Sequence, residues 1–404
     1  MGPDGPLPRG GPILTPPGAA PPFRPGGRAS LRSAAAVALA CALFAWGLSA
    51  LPAFRLIEAR LFDMASTAVR PVPDVPGAVV VAIDEPSFAE LARRWPWPRD
   101  EHGRLVEALR AAGARAIGID VVFAEPSDDP SADAAFAAAL GPDTVLAADE
   151  TTIETPHAVA RMRIEPIPEL VAGGAVAGLV SVPLDGDGAV RRMPLAPDAF
   201  AREVLRAAGL PADRIVPEGA LIQFLGGPRT YPTISYYQAR DPEAFLPPGF
   251  LDGRIVLVGI SLQTPPDVDA GGPDAFATPE TAASGRLTAG VEIQATILDN
   301  LLHGLFVTPA PAAAVLAGLL GAGLAGAAVP RLRGAAVPVA AAIGLAALAI
   351  VGSLILIRFG RVWWPPLAPL IAFAAAGGVE TGRRFAREMR TRRRIERAFA
   401  QSLA

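Results

Sequence analysis

The sequence contains no lysine; all 36 of its basic residues are arginine. A P-loop needs a lysine in its glycine-rich turn, and a protein kinase needs a strand lysine on the phosphates, so neither nucleotide site can be built. Schiff-base catalysis falls with them. One cysteine, Cys41, leaves no partner for an intrachain disulfide or a thiolate metal cluster. The three histidines, His102, His157 and His303, are not spaced as a zinc set, and no Gly-x-Ser-x-Gly nucleophile turn occurs. No metal and no cofactor is expected. A formal net charge of -3 gives no bulk attraction for nucleic acid.

What is abundant is apolar. Hydrophobic residues make up 51% of the chain and the mean hydropathy is +0.37, which points to membrane segments. Residues 1–32 are rich in Pro and Gly and read as a disordered tail. Residues 33–54, with Trp46, read as a first transmembrane helix. The small residues at 49–53 also allow a cleaved signal peptide, but the long preceding tail favours a retained anchor. Residues 310–329, 335–357 and 362–380 read as three further spans, the last opening on Trp363 and Trp364 as interface anchors. A basic helical linker, 381–404, follows. Its residues Phe385, Met389, Ile395, Phe399 and Leu403 form an apolar stripe suited to a homodimer seam.

Four arginines precede the first run, two separate the second from the third, two separate the third from the fourth and eight follow the fourth. The excess of positive charge predicts both termini in the cytoplasm, residues 55–307 outside, and a multi-pass protein of the inner (plasma) membrane. Residues 55–307 carry 20 arginines against 35 acids.

Within 55–307, strands are predicted at 79–83, 116–123, 144–148, 178–182, 189–195, 221–225 and 255–260. Helices are predicted at 101–112, 131–140, 198–208, 232–240 and 289–302. The order of strand 79–83, helix 101–112 and strand 116–123 predicts a parallel pair with a right-handed crossover. The fold class is an α/β extracytoplasmic domain, with a mixed, mostly parallel sheet, plus four transmembrane helices.

Asp84 and Asp120 each end a predicted strand, where ligands collect in parallel sheets. The pair suits an ion, a polar ligand or acid/base work, while helix capping is the plainer reading. Trp95-Pro96-Trp97-Pro98-Arg99 offers either a ligand wall or a rigid packed loop. Asp185-Gly186-Asp187-Gly188 resembles part of a calcium loop but lacks the later acid, so it reads as a hairpin turn.

Taken in order, these segments resemble the CHASE type 2 family of extracellular sensory domains. The matching residues begin with Phe62-Asp63, the acidic strand end at Asp84, Trp95 to Arg99 with His102, and Ile119 to Phe123 followed by Glu125-Pro126-Ser127. They continue through the turn at 185–188, Arg191 to Leu195, Gly253 to Gly259, Asp267 and Gly290 to Ala295, ending at Gly304. The resemblance covers about 60–305. It implies a sensor with an unknown extracytoplasmic ligand, for which Asp84, Trp95, Trp97, Arg99, Asp120 and Asp267 are the candidate contacts. It also implies a cyclase or kinase output on the cytoplasmic side, with the chain itself expected to hold no catalytic domain. The chain departs from the family in the Gly/Ala/Thr-rich stretch 269–289 and in Gln294, which stands where a histidine is usual. The competing expectations are an extracytoplasmic enzyme built on Asp84 and Asp120, and a membrane scaffold.

Overall fold

The computed structural model describes residues 27–71, 77–155, 158–262, 274–332, 334 and 336–402. Residues 1–26, His157 and Asp267 lie outside the described residues, as do residues 269–273 of the variant stretch.

Helix α1 (Gly27–Leu48) is followed at once by α2 (Pro52–Ala68). The chain then enters the sheet domain with β1 (Ala78–Ile83), α3 (Glu85–Leu91), α4 (Arg99–Ala111), β2 (Ala116–Val122), α5 (Pro130–Ala139) and β3 (Thr144–Thr155). Next come β4 (Ala158–Ile164), α6 (Pro168–Ala172), β5 (Val176–Leu179), α7 (Phe200–Ala207), β6 (Thr233–Ser235), α8 (Tyr236–Ala239), α9 (Pro242–Phe245) and β7 (Ile255–Ile260). The pair β8 (Ala275–Phe276) and β9 (Thr288–Ala289) brackets α10 (Thr281–Ser284), and α11 (Gly290–His303) closes the domain. Strand β10 (Thr308–Pro309) leads to α12 (Ala312–Ala328) and α13 (Val337–Ile355), and β11 (Val362–Trp363) precedes α14 (Leu367–Ser402).

The sheet runs in the order β4-β3-β2-β7-β1-β6, with β5 on β3. All its pairings are parallel except β3 with β4. The α/β class and the mostly parallel sheet are as predicted. The expected adjacency of β1 and β2 is not: β7 lies between them, and Ile255 is in register with both Ala78 and Ala116. A strand from far down the chain fills the gap because Ile255 to Val258 are buried and need cover on both faces. Predicted strands 189–195 and 221–225 form only isolated bridges, such as Arg192 with Leu221. The predicted helix 232–240 splits into β6 and α8, where Ser235 and Gln238 make a capping box.

Alternate residues of the strands serve two cores. Val79, Val81, Ile119 and Val258 pack under α4 and α5 with Leu105, Leu109 and Phe136. Val80, Val145 and Leu257 pack under α7 and α11 with Phe200, Val204, Val291 and Ile297. Gly118 allows α7 to approach: a Cβ there would lie 2.8 Å from each of Leu257, Phe200 and Val204.

The membrane texture is corrected. Among the described residues, two helical stretches are long and apolar enough to span by themselves, Ala312–Arg331 and Val337–Gly360, rather than four. The run 33–54 is not straight. It breaks at 49–51, and α1 and α2 meet at 86°, a pair that passes the same test only if counted as one bent span. Pro52 opens α2 and cannot donate into α1. The run 362–380 is shortened because Val362 and Trp363 pair with β10 and Pro365-Pro366 follows. The apolar part of α14 before Glu380 is then about 20 Å long at 1.5 Å per residue. Both α1 and α14 nevertheless pack on α12, through Ala42, Ala45, Leu319, Ala368 and Ala372. Helix α2 leaves the bundle and lies against the sheet domain, burying Phe62, Asp63 and Ser66.

Candidate ligand-binding site

Parallel strands β2, β3, β5 and β7 end on one side of the sheet, and a cleft of about 430 Å³ opens there. Asp120 comes from the end of β2. Asp149 sits where β3 leaves β5 and turns to β4. Val180 and Ser181 follow β5, and Ile260 ends β7. Asp274 precedes β8, and Ile293 and Gln294 come from the first turn of α11. The carboxyl-end placement is the one at which open α/β sheets hold ligands.

The carboxylates differ in their partners. Asp149 accepts from the Glu150 amide at 2.8 Å and the Ser181 hydroxyl at 2.5 Å. Burial raises the Asp120 carboxyl well above the usual carboxylate range, and the charges of Asp274 and Asp149 add to it. Burial likewise pushes Asp274 up to about 6, with Asp149 adding to the effect. Asp274 lies over Gly290, where a Cβ would meet its carboxylate at 2.5 Å, so a larger residue there would displace that carboxylate.

Asp84 is elsewhere. It caps α3: Oδ1 accepts from the Ser87 amide at 3.1 Å and its hydroxyl at 2.6 Å, and Oδ2 accepts from the Ser235 hydroxyl at 2.7 Å. Asp84 and Asp120 therefore do not face one another across the cleft, and the expected paired acids are replaced by Asp120 with Asp274 and Asp149. Trp95 and Trp97 stack edge-on at 5.3 Å inside an aromatic cluster with Phe88, His102 and Tyr236. Arg99 lies over the Phe123 ring at 4.3 Å and donates to the Glu125 carbonyl at 3.0 Å. Among the described residues, none of Asp84, Trp95, Trp97 and Arg99 lines the cleft.

The residues 185–188 form the predicted turn, with the Asp185 amide donating to the Ala189 carbonyl at 2.9 Å. They also do something the sequence did not reveal. Arg191, 1% exposed, donates to both oxygens of Asp63 at 2.7 and 2.8 Å, to both oxygens of Asp187 at 2.8 and 2.9 Å, and to Asp185 at 3.2 Å. Its hydrogen bonds hold the Asp187 carboxyl down at about 2. The guanidinium thereby fastens α2 to the sheet domain. One turn earlier on α2, Glu58 accepts from the Leu367 amide at 3.0 Å, at the start of α14. The only signal for the Asp63–Arg191 pair in the sequence was that both positions lie in matched family segments. Nothing marked Asp149 or Asp274.

A family model described as the CHASE2 domain matches residues 35–328. The chain belongs to the CHASE2 domain family. CHASE2 domains are extracytoplasmic sensor modules rather than catalytic ones, and the two long apolar helices fit membrane anchoring. The match takes in most of α1, the whole sheet domain and α12, so it reaches into the helices that enter and leave the domain. No curated protein and no solved structure matches the chain.

Proposed function

We propose that this CHASE2 chain is the input half of a transmembrane receptor. The strand-end cleft receives an extracytoplasmic ligand, and α2 carries the change to α14. The observation that carries this reading is that α2 holds the sheet domain through Asp63–Arg191 and holds α14 through Glu58–Leu367. A shift of the strand ends therefore reaches α14 through packed, hydrogen-bonded elements, the kind of small helix displacement that bistable receptors use. In this reading α12 and α13 span the bilayer unaided, the shorter apolar parts of α1 and α14 cross beside α12, on which they pack, both termini are cytoplasmic and the sheet domain is outside. The basic part of α14 leads to a cyclase- or kinase-type output, carried by the same polypeptide or by a partner. Two copies associate along the exposed Phe385, Met389 and Ile395.

The test is disulfide crosslinking in membranes. Cysteines replace Met389 or Ile395 in a Cys41→Ser background. Crosslinks between subunits at both positions, with at least a twofold change in yield on adding Glu58→Gln, support the relay. Crosslinks at Arg390 and Arg394 instead, or yields indifferent to Glu58→Gln, overturn it.

A further inference from the structure

A larger cavity, of about 680 Å³, lies between α2, the turn at 185–188 and the β10–β11 pair. The membrane helices set its level. Ser49 and Pro52 at the break after α1, Pro309 just before α12 and Pro365 just before α14 all lie on its wall. Trp46 near the end of α1, and Trp363 and Trp364 ahead of α14, mark the same level, and aromatic side chains collect where lipid headgroups begin. Leu51, Leu56 and Ile57, each about half exposed, turn apolar surface outward on this stretch, as a segment against lipid does.

The wall is mostly apolar. Pro52, Ala53, Leu56, Leu221 and the pair Phe62–Trp363, edge to face at 5.4 Å, form much of it. Hydrocarbon covers such a wall better than water does, and the volume lies in the range of sites for small ligands.

The charges on the wall identify the other end of the occupant. Three arginines, Arg55, Arg191 and Arg192, face three acids, Glu58, Asp185 and Asp187. Four of the six satisfy one another: Arg191 holds Asp185 and Asp187, and Arg192 donates to Asp185 at 2.7 Å. Arg55 and Glu58 are left. The Arg55 side chain makes no hydrogen bond or ion pair with any described residue. Glu58 spends one oxygen on the Leu367 amide, and the other has no donor among the described residues. The two stand one turn apart on α2, with Cβ atoms about 5–6 Å apart by helix geometry. A phosphoethanolamine carries its phosphate and its ammonium at a similar spacing.

We propose that this cavity binds one outer-leaflet phosphatidylethanolamine, with its phosphate on Arg55, its ammonium on Glu58 and an acyl chain against the apolar wall. The site is separate from the strand-end cleft. It rests on the proposed placement of α1, α12 and α14 in the bilayer. A lipid held there touches α2, the Arg191 joint and the start of α14 together.

The full chain in detergent is stripped of lipid and titrated with palmitoyl-oleoyl phosphatidylethanolamine. Native mass spectrometry reads the retained lipid, with the phosphatidylglycerol and phosphatidylcholine of the same chains for comparison. A phosphatidylethanolamine with a diazirine in one acyl chain maps the site. One phosphatidylethanolamine per chain is expected, retained at least fivefold better than the other two, with label in peptides 49–62 or 361–367. Arg55→Gln should lower retention at least fivefold, and Glu58→Gln should abolish the preference over phosphatidylglycerol. Ala59→Trp, which fills the cavity, should remove the label. Arg94→Gln, on an exposed loop of the sheet domain, should change retention less than twofold. Equal retention of phosphatidylglycerol or phosphatidylcholine overturns the headgroup assignment. Label confined to other helices, retention indifferent to Arg55→Gln, or no retained lipid overturns the site. The wild-type label map decides the location even if a variant fails to fold, which its melting profile reveals. Reporter fusions test the membrane placement without reference to lipid, so its failure is seen independently.

Discussion

Arg191 reaches across 128 residues to clasp both oxygens of Asp63, with Asp187 holding its other edge. The arrangement is a buried, fully donated guanidinium among three carboxylates, Asp63, Asp187 and Asp185, and it joins helix α2 to the sheet domain. Bidentate pairs of this kind fix geometry as well as charge.

Removing one side of that joint leaves a buried charge short of partners. Asp63→Asn is expected to lower stability by about 2–4 kcal/mol, and Arg191→Met by more, because three acids lose their shared buried donor and keep only Arg60 and Arg192 at the edge. Arg191→Lys does not restore the wild type, since an ammonium cannot serve two carboxylates in a fork. Thermal unfolding of the full chain in detergent checks the ranking.

Gly118 predicts an overpacking series. Gly118→Ala puts a methyl where Leu257, Phe200 and Val204 already lie at 2.8 Å, so the cost is about 1–3 kcal/mol. Gly118→Val should leave no folded protein. Gly186→Ala, with open space around it, is the matched control and should stay within about 0.5 kcal/mol.

Two groups predict opposite responses to pH. Burial pushes His102 down to about 3, so it stays neutral when folded. Its contribution is present above the unfolded value near 6.5 and is lost progressively as pH falls from there towards 3. Asp274, raised to about 6, behaves the other way: the folded state favours its protonated form, so stability falls as pH rises from about 4 through 6. Its share is on the order of 2–3 kcal/mol. Asp274→Asn should flatten the loss between pH 4 and 6 and raise the melting temperature at pH 7.5. A variant that keeps the wild-type slope in that window would refute the assignment.

The topology is open to reporter fusions. Fusions after Gly334 and after Gln401 should report the cytoplasm, and one after Arg240 the outside. A cytoplasmic signal at Arg240 would reverse the orientation.

Much of the domain was legible from local pattern. The runs 79–83, 116–123 and 255–260 are strands because continuous β-branched and aliphatic residues must be covered on both faces. Helices 101–112, 131–140 and 289–302 were found to within a residue or two because their apolar spacing is local. The family was legible too, since short motifs in a fixed order survive without knowledge of their contacts. What tertiary structure alone decided is which ends meet. Sequence periodicity cannot say that β7 enters between β1 and β2, so Asp84 and Asp120 looked equivalent although only one faces the cleft. It cannot place Asp149 or Asp274 beside Asp120, because carboxylates 29 and 154 positions away carry no mutual pattern until the sheet is closed. Nor does hydropathy record the 86° turn between α1 and α2, which depends on Pro52 and on the Arg191 clasp drawing α2 out of the bundle and onto the domain.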